Sequence, residues 1–371
     1  MSFKSTVPQH PNFLDRGPES LFAVASELLD RTYAMGTLAT YTTAARSFIT
    51  FARHHGLLKR VEGGFELADV TAIVMIYYLA WCYKTKLKFN TITTYVAGVR
   101  AWIQAQGKAD PVITDTKVDP AFYMAMRGLK RIHKGPKADR FPVTTWILSE
   151  LLRVSKSRLV LTKHQALNLR ACCLLMWFGL LRVSEATQAT AKRDPLRTAA
   201  RGDVHFHPNR MDCQYVTFLV KCSKADQFRE GFTLTLYRSG KPEMCAVTAL
   251  LDLFEADPQP DTSPLFDFHV SGPPEPQRVA TRSTFIKLVK KCLEAADIDD
   301  RNIKSHSFRQ GGASALAATA QGHYVRVMGR WASDCWHAYI SVPLSAVKTF
   351  AYNMANQPCT PGVQTDYIAF Q

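Results

Sequence analysis

The densest chemistry in this 371-residue chain lies in the run Ser305-His306-Ser307-Phe308-Arg309-Gln310-Gly311-Gly312, followed by Met328-Gly329-Arg330-Trp331 and then Tyr339-Ile340. A histidine and an arginine three apart share one face of a helix, so both point at one anion. Ser305 is a good N-cap and Ala313-Ser314-Ala315-Leu316-Ala317-Ala318 favours helix. The pair is therefore expected in the first turn or two, where the positive end of the helix dipole adds to the attraction for phosphate. Ser333 and Asp334 mark the start of a short helix between Trp331 and Tyr339, which brings a phenol close behind. A His-x-x-Arg pair alone is more often a hydrogen-bonded surface pair than a site. A third cation changes that weighing: Arg182 follows the apolar stretch ending Phe178-Gly179-Leu180-Leu181, with Glu185 three residues on.

Breaking a phosphodiester without losing its bond energy requires a nucleophile that stays attached, and tyrosine suits this. Phenol has a pKa of about 10, so the site must take up a proton and stabilise charge in the transition state. Arginine forks match phosphate oxygens and stay charged.

In order, the chain offers Arg182, Lys224, His306-x-x-Arg309, Trp331 and Tyr339, with Gly179-Leu180-Leu181-Arg182-Val183-Ser184-Glu185 at the head. This closely resembles the catalytic domain of the tyrosine recombinases, the phage-integrase family, over residues 178–340. Gly311 and the Gly-Arg-Trp-Ala-Ser-Asp wording at 329–334 resemble the eukaryotic transposon recombinases of DIRS and Crypton type. The resemblance implies cutting and rejoining of DNA through a covalent 3′-phosphotyrosine. Arg182 and Arg309 would clamp the non-bridging oxygens, Tyr339 attack, and Lys224 protonate the departing 5′ oxygen. His306 would assist proton transfer or donate to the phosphate, and Glu185 would orient the Arg182 segment. Lys224 rather than Lys221 matches the family's Ser-Lys hairpin wording.

Two departures stand out. Gln310 sits where most members have histidine, and Arg330 occupies the place after Gly329 that His or Trp usually holds. Trp331 is the favoured indole donor, with Arg330 its rival. Tyr324 and Tyr352 compete as nucleophiles, but their spacing from Gly329 does not match. Because cations already supply the charge neutralisation, no metal and no cofactor is expected. The partners implied are double-stranded DNA and further copies of the chain, a tetramer on two duplexes. A mobile element, with integration or transposition, is the implied setting. The alternatives are a DNA-binding protein derived from a recombinase with weakened catalysis, and a type IB-like topoisomerase.

These residues need supports. A length of 371 residues implies two domains, and a formal charge of +15 implies a polyanionic partner. Nine cysteines without a Cys-x-x-Cys spacing, and no signal-peptide core, point to a reduced intracellular protein, nuclear if its host is eukaryotic. The expected fold is mainly α with a small antiparallel β-sheet: a helical, SAM-like core-binding bundle, then a tyrosine-recombinase catalytic domain. The divisions are a flexible lead at 1–17, the bundle at 18–131, a linker at 132–142, and the catalytic domain with a C-terminal tail helix at 143–371.

Helices are expected at 19–33 and 37–55, then from Asp69 to Lys84, from Asn90 to near Gly107, and from Asp119-Pro120 to Arg131. Candidate phosphate contacts are Lys84, Lys86, Lys88, Arg100, Arg127, Lys130, Arg131, Lys134 and Lys137, with Lys287 in the second domain. There the pattern predicts helices at 144–156, 162–178 and 281–296, and strands at 204–206, 214–220 and 231–237, the last two flanking a polar tip that carries Lys224. Residues 256–276 are expected to be loop. His205 and His207 alternate on a strand but lack companion ligands, so they are read as structural or exposed.

Overall fold

The computed structural model describes residues 24–25, 27–28, 32–61, 64–133, 141–188, 194–223, 226, 230–269, 280–319, 322–331 and 333–340. The chain divides into two compact units, Met1–Lys137 and Ala138–Gln371.

In the first unit, α1 (Met35–His54), α2 (Ala72–Lys84), α3 (Phe89–Gln104) and α4 (Pro120–Ile132) bury a shared core that includes Phe48, Phe51, Tyr78, Ile92 and Val99. Helices α1 and α3 meet at Gly98, where an added β-carbon would lie 2.8 Å from the Ala44 β-carbon. Asp119 caps α4 as its position before Pro120 predicts, its Oδ1 accepting from the Phe122 N–H at 2.9 Å. The other two caps differ from expectation. Val70 packs against the core, so α2 starts beyond Asp69 and is capped by Thr71. Phe89 is likewise drawn onto the core, so α3 begins one residue before Asn90 and has no side-chain cap. Two hairpins were not anticipated: β1 (Leu58–Val61) with β2 (Gly64–Leu67), and β3 (Ile113–Thr114) with β4 (Lys117–Val118). Of the helix expected at 19–33, residues 24–25 and 27–28 are helical; most of the rest, and the lead at 1–17, lie outside the described residues.

The second unit is built on α5 (Thr145–Ser155) and α6 (Lys163–Phe178). Thr162 and Gln165 form a reciprocal capping box at the start of α6. Its run Ala171-Cys172-Cys173-Leu174-Leu175-Met176 is wholly buried, as an all-round apolar helix must be. After the single turn α7 (Val183–Ala186) come β5 (Val204–His207), β6 (Tyr215–Val220) and β7 (Phe232–Tyr237), an antiparallel sheet in that order. Phe218 pairs with Val204 on one side and Leu234 on the other, and Val216, Phe218, Leu234 and Leu236 face the core. Then follow α8 (Ala246–Ala256), α9 (Arg282–Ala295), α10 (Ser307–Ala317), α11 (Gly322–Met328) and a 3-10 turn at Asp334–Tyr339.

Three expectations are corrected here. Ser305 does not cap α10: its hydroxyl accepts from Arg282 at 2.9 Å, and the helix begins past His306. The short helix expected between Trp331 and Tyr339 is present, as a 3-10 helix with Ser333 at its N-cap position, but the Ser333 side chain makes no capping hydrogen bond. Helices α8 and α11 stand where no helix was anticipated. The stretch 257–269 is irregular apart from a bridge between Pro264 and Ala200, while the remainder of the expected loop, much of the expected linker and the expected tail helix fall outside the described residues. Among the described residues, no helix is long and apolar enough to cross a membrane.

Candidate active site

The site begins where α6 stops. A β-carbon at Gly179 would lie 2.6 Å from Leu234 Cδ2 and 2.7 Å from the Leu175 carbonyl oxygen, so glycine lets β7 lie against the helix end. The chain then turns through Leu180 in a left-handed conformation, φ +47°, and presents Arg182. Glu185 receives that arginine twice: Oε2 accepts the Arg182 backbone N–H and Oε1 accepts Nη1, both at 2.9 Å. The Glu185 side chain is fully buried.

Helix α10 docks on the same end of α6 through two glycines. A β-carbon at Gly311 would fall 1.9 Å from the Val143 oxygen, and one at Gly312 would fall 2.1 Å from the Trp177 oxygen. The seam is closed by hydrogen bonds from Val143 N–H to the Ser307 carbonyl and from Trp177 Nε1 to the Val143 carbonyl, each 2.9 Å. This close approach drives Arg309 inward until it is 0 % exposed. Its Nη1 donates to the Leu180 carbonyl at 2.7 Å and its Nη2 to the Gly329 carbonyl. Its guanidinium lies 4.2 Å from the centre of the Trp331 ring and 5.6 Å from that of Tyr339.

Tyr339 completes the cluster. Ser314 on α10 donates to the Tyr339 carbonyl at 3.2 Å, and the half-buried ring stands 5.2 Å from Trp331 and 6.3 Å from His306. Arg330 enters from the end of α11, its Nη2 donating to Glu185 Oε2 at 2.8 Å. Three guanidiniums thus surround one carboxylate, a surplus of two positive charges.

The electrostatics follow from that crowding. Burial first, then the neighbouring Arg182 charge, brings Arg309 down to about 10, so it stays charged at neutral pH. Burial also lowers Arg330, against the pull of Glu185. The Nε groups of Arg309 and Arg330 are buried and have no partner among the described residues. Two surplus positive charges held around one carboxylate make an anion the ligand this site fits. Among the described residues no group of three or more His, Cys, Asp or Glu is disposed to hold a metal ion.

The structure therefore brings together Arg182, Glu185, His306, Arg309, Arg330, Trp331 and Tyr339, with Gln310 half-buried on α10 beside them. Lys224 lies outside the described residues. Lys221 is committed elsewhere, its Nζ 2.9 Å from Asp203 Oδ2 and 3.2 Å from the Thr198 carbonyl. Phe232, at the base of the hairpin that carries Lys224, lies 5.5 Å from the Arg330 guanidinium. Phe232, Ser314 and the carbonyls of Leu180 and Gly329 were missed in the sequence, where nothing marks a carbonyl or a strand-end ring as part of a site.

His207 stacks on Tyr215 at 4.7 Å with its Nε2 2.9 Å from Thr217 Oγ1, and His205 is exposed. Of the candidate DNA contacts, Lys84, Lys86, Lys88, Arg127, Lys130, Arg131 and Lys287 are exposed. Arg100 is held in a forked pair with Asp110, Nη2 to Oδ2 2.7 Å, and Lys134 and Lys137 fall outside the described residues.

No protein-family model matches the sequence, and neither does any curated protein. Solved structures do match. The XerH site-specific recombinase bound to a palindromic difH substrate in a post-cleavage complex aligns with a TM-score of 0.58 at 13% identity, over 90% of this chain and 85% of that one. A lambda integrase dimer bound to a COC′ core site aligns with a TM-score of 0.52 at 12% identity, over 86% and 93%. This chain, mainly helical with one small antiparallel sheet in its second unit, has the fold of the tyrosine recombinases and integrases.

Proposed function

We propose that the chain is a site-specific DNA recombinase or integrase that cuts and rejoins duplex DNA through a covalent 3′-phosphotyrosine on Tyr339. The observation that carries this is the convergence of Arg182 with its partner Glu185, of Arg309 and of Arg330, from three separate segments, with the Tyr339 ring 5.6 Å from the Arg309 guanidinium. The phenol oxygen of Tyr339 forms a bond to phosphorus while the bond to the 5′ oxygen breaks. The arginines offset the charge that builds on the non-bridging oxygens. Lys224 gives a proton to the leaving oxygen, and His306 assists the transfer of the phenol proton or donates to the phosphate. In the reverse step a 5′ hydroxyl attacks the phosphotyrosine, so the bond energy is conserved and no water is consumed. The tie between Lys221 and Asp203 supports Lys224 as the reacting lysine.

By the same reading the protein works as a tetramer on two duplexes, within the cell and in the nucleus of a eukaryotic host. The wording at 329–334 favours a mobile-element recombinase of DIRS or Crypton type. The test is a nicked or half-site duplex whose cleaved strand end diffuses away, trapping protein on DNA. A gel-stable adduct that disappears in Tyr339→Phe is the expected result. DNA binding without adduct on all candidate ends would instead favour a catalytically silent binder, and relaxation of any supercoiled plasmid by the monomer a topoisomerase.

A further inference from the structure

Arg330 stands in an unfavourable place for its residue type. It follows the end of α11 with φ +56°, a left-handed conformation that favours glycine, and its side chain is only 9 % exposed. Glycine would end the helix with neither the strain nor the buried cation. Strain held at a position that structure alone does not require points to function.

The partners show what that function is. Nη2 donates to Glu185 Oε2 at 2.8 Å, Nη1 to the carbonyls of Gly179 at 3.2 Å and Met328 at 3.3 Å, and Nε is buried without a partner among the described residues. Glu185 is at the same time bound to Arg182 through its other oxygen. With Arg182 alone that buried pair would be neutral. Arg330 restores a net positive charge to it, and Arg309 contributes the second.

We infer that Arg330 is a positioning residue that neutralises Glu185, so that the Arg182 guanidinium keeps its charge for a phosphodiester oxygen. This rests on the strand-cleaving reading above. A phosphodiester carries one negative charge and gains a second when a phenolate adds to it, and two surplus positive charges match that state. The role depends on charge, not on shape.

The experiment measures single-turnover adduct formation on the trapping duplex at saturating full-length protein, for wild type, Arg330→Met, Arg330→Lys and the double variant Arg330→Met with Glu185→Gln. Losing a preorganised cationic donor should slow Arg330→Met by about 10²-fold, and Arg330→Lys should stay within about tenfold of wild type. The double variant removes one positive and one negative charge while the glutamine oxygen still accepts the Arg182 N–H. It should recover at least about tenfold over Arg330→Met. A packing role predicts the reverse, with Lys and Met equally poor and the double variant worse than either. The inference is overturned if Arg330→Met cleaves within about threefold of wild type, or if the double variant is no faster than Arg330→Met. If wild type itself forms no adduct, the strand-cleaving reading falls. The inference is then read from affinity for inorganic vanadate, which Arg330→Met must weaken and the double variant restore.

Discussion

Gly312→Ala should separate α10 from α6 and dismantle the site from behind. An ideal β-carbon there meets the Trp177 carbonyl oxygen at 2.1 Å, Leu180 Cδ2 at 2.7 Å and the Trp177 carbonyl carbon at 3.1 Å. Carbon and oxygen settle at roughly 3.3–3.6 Å, so the two backbones must part by about 1.2–1.5 Å. Helix α6 is walled in by core and cannot recoil, so α10 must move. That movement breaks the bond from Arg309 Nη1 to the Leu180 carbonyl and strains the one from the Val143 N–H to the Ser307 carbonyl. Overpacking and the two weakened bonds together should cost about 4 kcal/mol. For a unit of this size that is a fall of about 8–16 °C in Tm. The assay is thermal unfolding of the full chain followed by tryptophan fluorescence, with Gly128→Ala in α4 as control. Nothing lies within 4 Å of a β-carbon at Gly128, and alanine there should gain about 0.5–1 kcal/mol. A Gly312→Ala midpoint within about 2 °C of wild type would refute the claim that glycine contact sets the position of Arg309.

Lys221→Met should lose about 1–2 kcal/mol with its Asp203 tie, measured by urea unfolding, yet cleave far faster than Lys224→Met, since the general-acid role proposed for Lys224 is worth about 10²–10⁴-fold. Trp331 meets Arg309 through its ring face, so Trp331→Phe should retain adduct formation while Trp331→Ala loses it along with about 3–5 kcal/mol of stability. If Phe is as inactive as Ala, the indole N–H is the working group. Away from the site, His164 lies 3.6 Å from Asp267, whose hydrogen bond raises the histidine pKa against the effect of burial. A raised histidine contributes fully below its unfolded value of about 6.5 and loses that contribution as pH rises through the folded value. The Tm gap between wild type and His164→Gln should therefore narrow from pH 6 to pH 8, and a constant gap would count against the pair.

Much of the fold was legible because it is written locally. The alternation at 214–220 and 231–237, the Asp119-Pro120 start and the apolar run through Cys172-Cys173 each predict an element from a few neighbouring residues, and the structure has each of them. The misses share one cause. Asp69, Asn90 and Ser305 are all sound caps by type, but Val70 and Phe89 were drawn onto a core and the Ser305 hydroxyl accepts from Arg282, contacts that spacing does not reveal. Helices α8 and α11 were overlooked beside louder signals.

For the site, sequence alone determined the residue types and the order in which they arrive, because the chemistry of phosphate and phenol restricts which side chains serve. What tertiary structure decided is the arrangement around Glu185. Residues 182, 309 and 330 meet only because Gly311 and Gly312 allow α10 to touch α6, and Arg330 turns inward while Trp331 slides beneath Arg309 because φ at 330 is +56°. Adjacent residues share a sequence environment but not a direction, and direction is set by the backbone once distant segments have packed.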